Sequence, residues 1–190
     1  MNALAELVSR AGREFAGREA LASDVRALTF AAVEAESNRL ASALAGRLGI
    51  AKGERVAVLL ANCPEFVVTD FALIKAGLLR VPVNPRYVAP EIEFILNHSG
   101  TAVLVTSAAF AEAVARILPR VSALRHVIAV DALPGVPGVL TWSDVLALGD
   151  AETFAVDTAD DDGYMIAYTS GTTGRPKGAL TTVAARWASV

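Results

Sequence analysis

The sequence predicts an α/β fold with a mixed, largely parallel, doubly wound sheet and flanking helices. Short apolar runs alternate with longer segments that carry apolar residues at helical spacing, as repeated strand–helix–strand units require. These runs are continuously apolar, which is typical of strands buried on both faces of a parallel sheet. The chain has 190 residues, which is enough to bury a sizeable core.

The first half of the chain begins this alternation. Residues 1–27 are interpreted as an amino-terminal helical arm followed by irregular chain, and residues 28–190 as part of one larger domain. Apolar residues recur on one helical face between 29 and 48, so a helix is predicted there with Gly49 at its end. The run 55–60 then predicts the first buried strand.

Proline and glycine mark the later elements. Pro64 and Pro90 stand near predicted helix starts, and Gly100 closes a helix. The further predicted helices cover 66–78, 90–97, 108–118 and 142–148, and the further strands 80–83, 102–106, 126–130 and 164–169. The stretches 131–139 and 157–162 are interpreted as loops, and the carboxyl-terminal residues are expected to enter another helix.

Composition excludes several classes of protein. A formal net charge of −3 without a basic patch argues against a nucleic-acid partner. The single cysteine, Cys63, excludes an internal disulfide and a multi-cysteine metal site, and it fits a reducing, cytoplasmic setting. No transmembrane segment is predicted, because residues 97–100 would break the one long uncharged window. His98 and His126 are interpreted as turn or strand-edge residues.

The segment after the predicted strand 164–169 has the features of a phosphate-binding loop. Its glycines allow backbone amides to approach an anion, its hydroxyl groups add hydrogen-bond donors, and its lysine supplies positive charge. By composition alone, a flexible surface loop fits the segment equally well. The candidate site residues are Thr169, Ser170, Gly171, Thr172, Thr173, Gly174 and Lys177, with Arg175 as a second possible cation.

Two common nucleotide motifs do not match this segment. A Walker A loop has glycine before its lysine and Ser or Thr after it, whereas Lys177 lies between Pro176 and Gly178. A dinucleotide fingerprint has a second glycine two residues after the first, and Thr173 stands there after Gly171.

The order of residues in the loop resembles the signature of the adenylate-forming superfamily. Eight positions agree: Ser170, Gly171, Thr172, Thr173, Gly174, Pro176, Lys177 and Gly178. At average residue usage, such agreement arises by chance about once in 10^10 starting positions. The segments 74–77 and 81–86 are similar to an upstream family segment in its acyl-CoA synthetase form. Within them, Lys75 and Gly77 are interpreted as residues that close and pack a helix.

The resemblance implies an acyl-CoA synthetase, and it implies that the chain is an incomplete amino-terminal part of the large domain. The expected activity is ATP-dependent activation of a carboxylic acid, fatty acids included, to an acyl-adenylate, followed by transfer to coenzyme A. By resemblance, the loop would hold the phosphates of ATP with Mg²⁺ bridging them. No catalytic or metal-binding residue is assigned within the chain, and residues 1–190 alone are expected to be inactive.

Two alternatives remain open at this stage. One is an adenylation domain that loads a carrier protein instead of coenzyme A. The other is a non-catalytic remnant that binds a nucleotide or a partner chain without turnover.

Overall fold

A computed structural model describes residues 3–169 and 176–189. The helices in these residues are α1 (Ala3–Glu14), α2 (Phe30–Ser42), α3 (Pro64–Ala76), α4 (Ala89–Ser99), α5 (Ala111–Ile117), α6 (Trp142–Leu148) and α7 (Val183–Trp187). The strands are β1 (Glu19–Ala22), β2 (Ala27–Thr29), β3 (Arg55–Leu59), β4 (Leu79–Pro82), β5 (Val103–Thr106), β6 (His126–Ala129), β7 (Val139–Thr141), β8 (Gly163–Thr169) and β9 (Lys177–Thr182).

The main sheet confirms the predicted fold class. Within the described residues it has seven strands in the order β7-β6-β5-β3-β4-β8-β9. All neighbours are parallel except β8 and β9, which pair antiparallel. The strands β1 and β2 form a separate antiparallel pair. The sheet is therefore mixed and largely parallel.

Helices cover both faces of the sheet, as a doubly wound fold requires. The side chains of Val56 and Val58 in β3 belong to a core cluster with residues of α2, α3 and α6. The alternate residues Ala57 and Leu59 belong to a second cluster with residues of α4 and α5. All four are almost fully buried, since successive side chains of a strand point to opposite faces. This arrangement explains the continuous apolar run.

Four strands were not predicted. Residues 19–22 and 27–29 form β1 and β2 where irregular chain was expected, and β7 begins at the end of the predicted loop 131–139. Residues 177–182 form β9, so the expected final helix begins only at Val183. These strands are short or rich in small and polar residues, so pairing with a neighbour determines them rather than a periodic local pattern.

No helix in the described part of the chain is both long enough and apolar enough to cross a membrane.

A buried lysine joins α2 to α3. The side chain of Lys75 is fully buried, and its Nζ donates to Glu34 Oε2 at 2.6 Å. The same Nζ donates to Ser37 Oγ at 2.8 Å and to Asn38 Oδ1 at 2.6 Å. Burial lowers the pKa of Lys75, and Glu34 opposes that effect. The predicted packing role of Lys75 is confirmed, and the hydrogen bonds account for a charged group in the core.

The network extends to the amino-terminal helix. Glu34 Oε1 accepts a hydrogen bond from Ser9 Oγ of α1 at 2.9 Å, and Asn38 Nδ2 donates to the backbone oxygen of Ala151 at 3.0 Å. Two chain segments distant from α2 in sequence are thus attached to it through polar side chains.

We predict that Lys75→Met destabilises the protein by about 3 kcal/mol. The largely buried Glu34 carboxylate loses the cation that it pairs with, and its charge is then uncompensated. Urea unfolding measures this change. The matched control is Lys52→Met, since Lys52 makes a single exposed ion pair with Asp162 at 2.6 Å. We expect that control to cost below about 1 kcal/mol. Equal losses for the two variants would show that the network contributes no more than a surface pair.

Gly77 ends α3 in the left-handed region, with a φ of 62°. A Cβ at this position would lie 2.8 Å from Val156 Cγ2. We predict that Gly77→Ala destabilises the protein by about 1–3 kcal/mol, from backbone strain and that contact. The control is Gly46→Ala within the π-helical turn Ala43–Arg47, where a Cβ would meet nothing within 4 Å. We expect this control to stabilise the protein by about 0.5–1 kcal/mol. Thermal unfolding measures both changes, and a shift of the melting temperature in the same direction for both variants would refute the prediction.

Candidate functional site

The predicted phosphate-binding segment connects β8 to β9. Thr169 ends β8, Lys177 begins β9, and the two residues are partners in the antiparallel ladder. The ends of the connection therefore lie side by side, with an exposed hydroxyl and an exposed ammonium group. Five predicted site residues lie outside the described part of the chain, Ser170, Gly171, Thr172, Thr173 and Gly174, and so does Arg175, the second possible cation.

The connection begins at the edge of the sheet where nucleotide ligands bind in related architectures. Because β8 is parallel to β4, its carboxyl end lies at the same edge as the carboxyl ends of the other parallel strands. In open α/β sheets, ligands bind in the crevice outside these ends. Thr169 is therefore at the edge that general topology favours for a site.

A cavity of about 460 Å³ lies beside the end of β8. Its lining includes Asn62 after β3, Asn84 after β4, and Tyr168 within β8. Phe66 and Tyr87 supply aromatic surface. A concave space of this size with a few polar groups is typical of a small-molecule site. The lining of this cavity reaches Tyr168 but not Thr169 or Lys177, so the cavity borders the end of β8 that leads into the segment.

A second cavity, of about 420 Å³, lies outside the ends of β3, β5 and β6. Its lining includes Cys63, Asp131 and Arg26. The Arg26 guanidinium is occupied by ion pairs with Glu36 at 2.9 Å and Glu65 at 2.8 Å. This cavity does not touch β8, so the cavity beside Tyr168 is the better candidate for a site that includes the predicted loop.

A half-buried ion pair that was not predicted from the sequence anchors the beginning of β8. Arg80 of β4 makes an ion pair with Asp70 of α3 at 2.8 Å, and its guanidinium lies 5.6 Å from the Tyr164 ring centroid. Burial raises the pKa of Asp70, although Arg80 opposes that rise. The available signal was an acidic and a basic residue within otherwise apolar segments.

The donor groups at the segment ends suit an anion rather than a metal ion. Hydroxyl and ammonium groups both donate hydrogen bonds to phosphate oxygens. Among residues 3–169 and 176–189, no group of three or more His, Cys, Asp and Glu side chains is arranged to hold a metal. The described residues therefore fit a phosphate and offer no ligand cluster for Mg²⁺.

Comparison with known proteins gives one consistent family. The family described as AMP-binding enzyme matches residues 8–190. The chain is 39% identical over 180 residues to the long-chain-fatty-acid–CoA ligase FadD13 of Mycobacterium tuberculosis, a match that covers 88% of this chain and 33% of the relative. It is 40% identical over 161 residues to the crotonobetaine/carnitine–CoA ligase of Salmonella paratyphi A, covering 83% of this chain and 31% of the relative.

Solved structures agree with this result. The anthranilate CoA ligase AuaEII in complex with anthranoyl-AMP superposes with a TM-score of 0.88 at 29% identity, covering 94% of this chain and 34% of that chain. The inhibitor-bound N-terminal domain of FACL13 from Mycobacterium tuberculosis gives a TM-score of 0.83 at 32% identity, covering 100% of this chain and 48% of that chain. The chain thus spans about a third of the length of the curated relatives it matches.

Proposed function

The chain belongs to the AMP-binding enzyme family, and from that premise we propose that the whole protein is an ATP-dependent acyl-CoA ligase. Its substrates would be a carboxylic acid, fatty acids included, together with ATP and coenzyme A. The two relatives described above are both CoA ligases, one for a long-chain fatty acid and one for crotonobetaine or carnitine. They support coenzyme A as the acceptor of the acyl group. Because their acids differ, they do not narrow the acid substrate beyond the class of carboxylic acids.

The observation that carries the proposal is the pairing of Thr169 with Lys177 at the carboxyl edge of the sheet. This pairing brings a hydroxyl and a cation together at the two ends of a segment rich in glycine and hydroxyl residues. We propose that Thr169, Ser170, Gly171, Thr172, Thr173, Gly174 and Lys177 bind the β- and γ-phosphates of ATP.

The proposed chemistry has two steps. A carboxylate oxygen of the acid attacks the α-phosphorus of ATP, the bond to the bridging oxygen of the β-phosphate breaks, and pyrophosphate leaves. The thiolate of coenzyme A then attacks the acyl carbon, and AMP leaves. In the first step, the Lys177 ammonium group would offset the negative charge that develops on the departing pyrophosphate.

Mg²⁺, when bound, would supply further neutralisation of phosphate charge. We assign no residue of this chain as its ligand.

We predict that Lys177→Met lowers kcat/KM for ATP in the whole protein by about 10- to 100-fold, because the departing phosphates lose a cation. The measurement is the release of pyrophosphate and the formation of acyl-CoA across a panel of acids that includes fatty, aromatic and carnitine-type acids. Lys52→Met removes the same charge at the surface pair with Asp162, and we expect it to leave kcat/KM unchanged.

Two outcomes would contradict this function. If the whole protein forms no acyl-CoA from any acid of the panel, the ligase proposal fails. If acyl groups appear on a carrier protein instead, the acceptor is wrong. We also expect residues 1–190 alone to give no ATP–pyrophosphate exchange, since the family members matched are about three times longer.

A further inference from the structure

Three rings connect α4 to the end of β8 that leads into the proposed phosphate loop. The Phe94 and His98 rings are stacked with centroids 5.3 Å apart, and the His98 ring meets the Tyr168 ring edge-on at 5.7 Å. His98 Nδ1 and the Tyr168 hydroxyl lie 2.8 Å apart, within hydrogen-bond distance. The interpretation of His98 as a turn residue was wrong, because α4 continues to Ser99 and carries His98 one turn after Phe94.

Tyr168 contacts both stems of the connection, which are the end of β8 at Thr169 and the beginning of β9 at Lys177. It lies in β8 directly before Thr169, and its partner across the ladder is Gly178 of β9. A Cβ on Gly178 would lie 3.2 Å from Tyr168 Cζ, so the absence of a side chain leaves room for the ring. The Tyr168 ring therefore packs on the strand that begins with Lys177, while its hydroxyl reaches α4.

Within the sheet, the loop end of β8 is paired with β9, whereas the pairing with β4 lies further back in the strand. The ladder between β4 and β8 pairs Arg80 with Met165, three residues before Tyr168. On the far side of β8, residues 177–180 of β9 are exposed to solvent. The contact with His98 thus attaches the loop end of the β8–β9 pair to the helical layer.

The Tyr168 phenol suits a hydrogen bond near neutral pH. Burial raises the pKa of Tyr168, so its phenol stays protonated there. The phenol O–H can then donate to His98 Nδ1 in the tautomer that leaves this nitrogen without a proton.

We propose that His98 is a positioning residue for the phosphate loop. By holding the Tyr168 hydroxyl, it keeps both stems against α4, places Thr169 and Lys177 for the triphosphate, and so raises the affinity for ATP. This inference rests on the proposed function of the loop. It adds a residue outside the loop, on a different element, that sets the geometry of the loop.

The test uses two substitutions in the whole protein that each remove the hydrogen bond between His98 and Tyr168 and keep an aromatic ring. Tyr168→Phe keeps the ring on Gly178, and His98→Phe keeps a ring stacked on Phe94. We expect each to raise the Kd and KM for ATP by about 3- to 10-fold, in keeping with the loss of one hydrogen bond. For His98→Phe, whose residue does not line the cavity beside β8, we expect kcat and the KM values for the acid and coenzyme A to change less than about twofold.

Three further variants separate positioning from a general loss of stability. The double variant should bind ATP no more weakly than Tyr168→Phe alone, since the hydrogen bond to His98 is already lost when the hydroxyl is removed. His98→Asn retains a polar atom near the position of Nδ1, and we expect it to restore most of the affinity for ATP. The control Tyr164→Phe removes a hydroxyl of the same strand that lies 3.4 Å from Asp70 Oδ1, and it should leave the Kd for ATP unchanged.

Direct titration with ATP distinguishes the failure of this inference from the failure of the proposed function. If the unaltered protein binds ATP but both single variants bind it equally well, the positioning role is overturned alone. The same conclusion follows if the effects of the two substitutions multiply in the double variant. If the unaltered protein binds no ATP, the inference and the proposed function fail together.

Discussion

The architecture depends on the central strand β3, whose two faces both have to be covered. Val56 and Val58 are buried on one side and Ala57 and Leu59 on the other, so helices must pack on each face. Chain connections then leave the sheet in both directions, with β4 on one side of β3 and β5 on the other. This winding leaves crevices at the carboxyl edge, where the two cavities described above lie.

Polar groups define how neighbouring helices on one face of the sheet fit together within this apolar framework. Lys75 of α3 is satisfied by three side chains of α2, and α1 joins the same network through Ser9. Burying a charge carries a desolvation cost that well-placed partners largely offset. Apolar contact alone would tolerate small shifts between α2 and α3, whereas this set of hydrogen bonds requires one relative position.

The candidate site is built on a hairpin attached to that framework at two places. The beginning of β8 is held by the Arg80–Asp70 ion pair, with Arg80 over the aromatic ring of Tyr164, and its loop end is held through Tyr168 and His98. A loop that grips a triphosphate needs its stems placed by rigid neighbours, because every degree of freedom left in the stems reduces affinity. The two anchors on α3 and α4 connect the edge of the sheet to both helical layers.

The sequence alone determined the α/β class, the buried strands with their helices, and the family, since continuous apolar runs and an ordered motif are local features. It also predicted Gly77 as a helix end and placed Thr169 and Lys177 in one segment. Only the tertiary structure decided the short strands β1, β2, β7 and β9, whose residues have weak propensity until a neighbour pairs with them. It alone brought His98 to Tyr168, 70 residues later in the chain, because the packing of α4 on the sheet defines that contact and no sequence spacing encodes it.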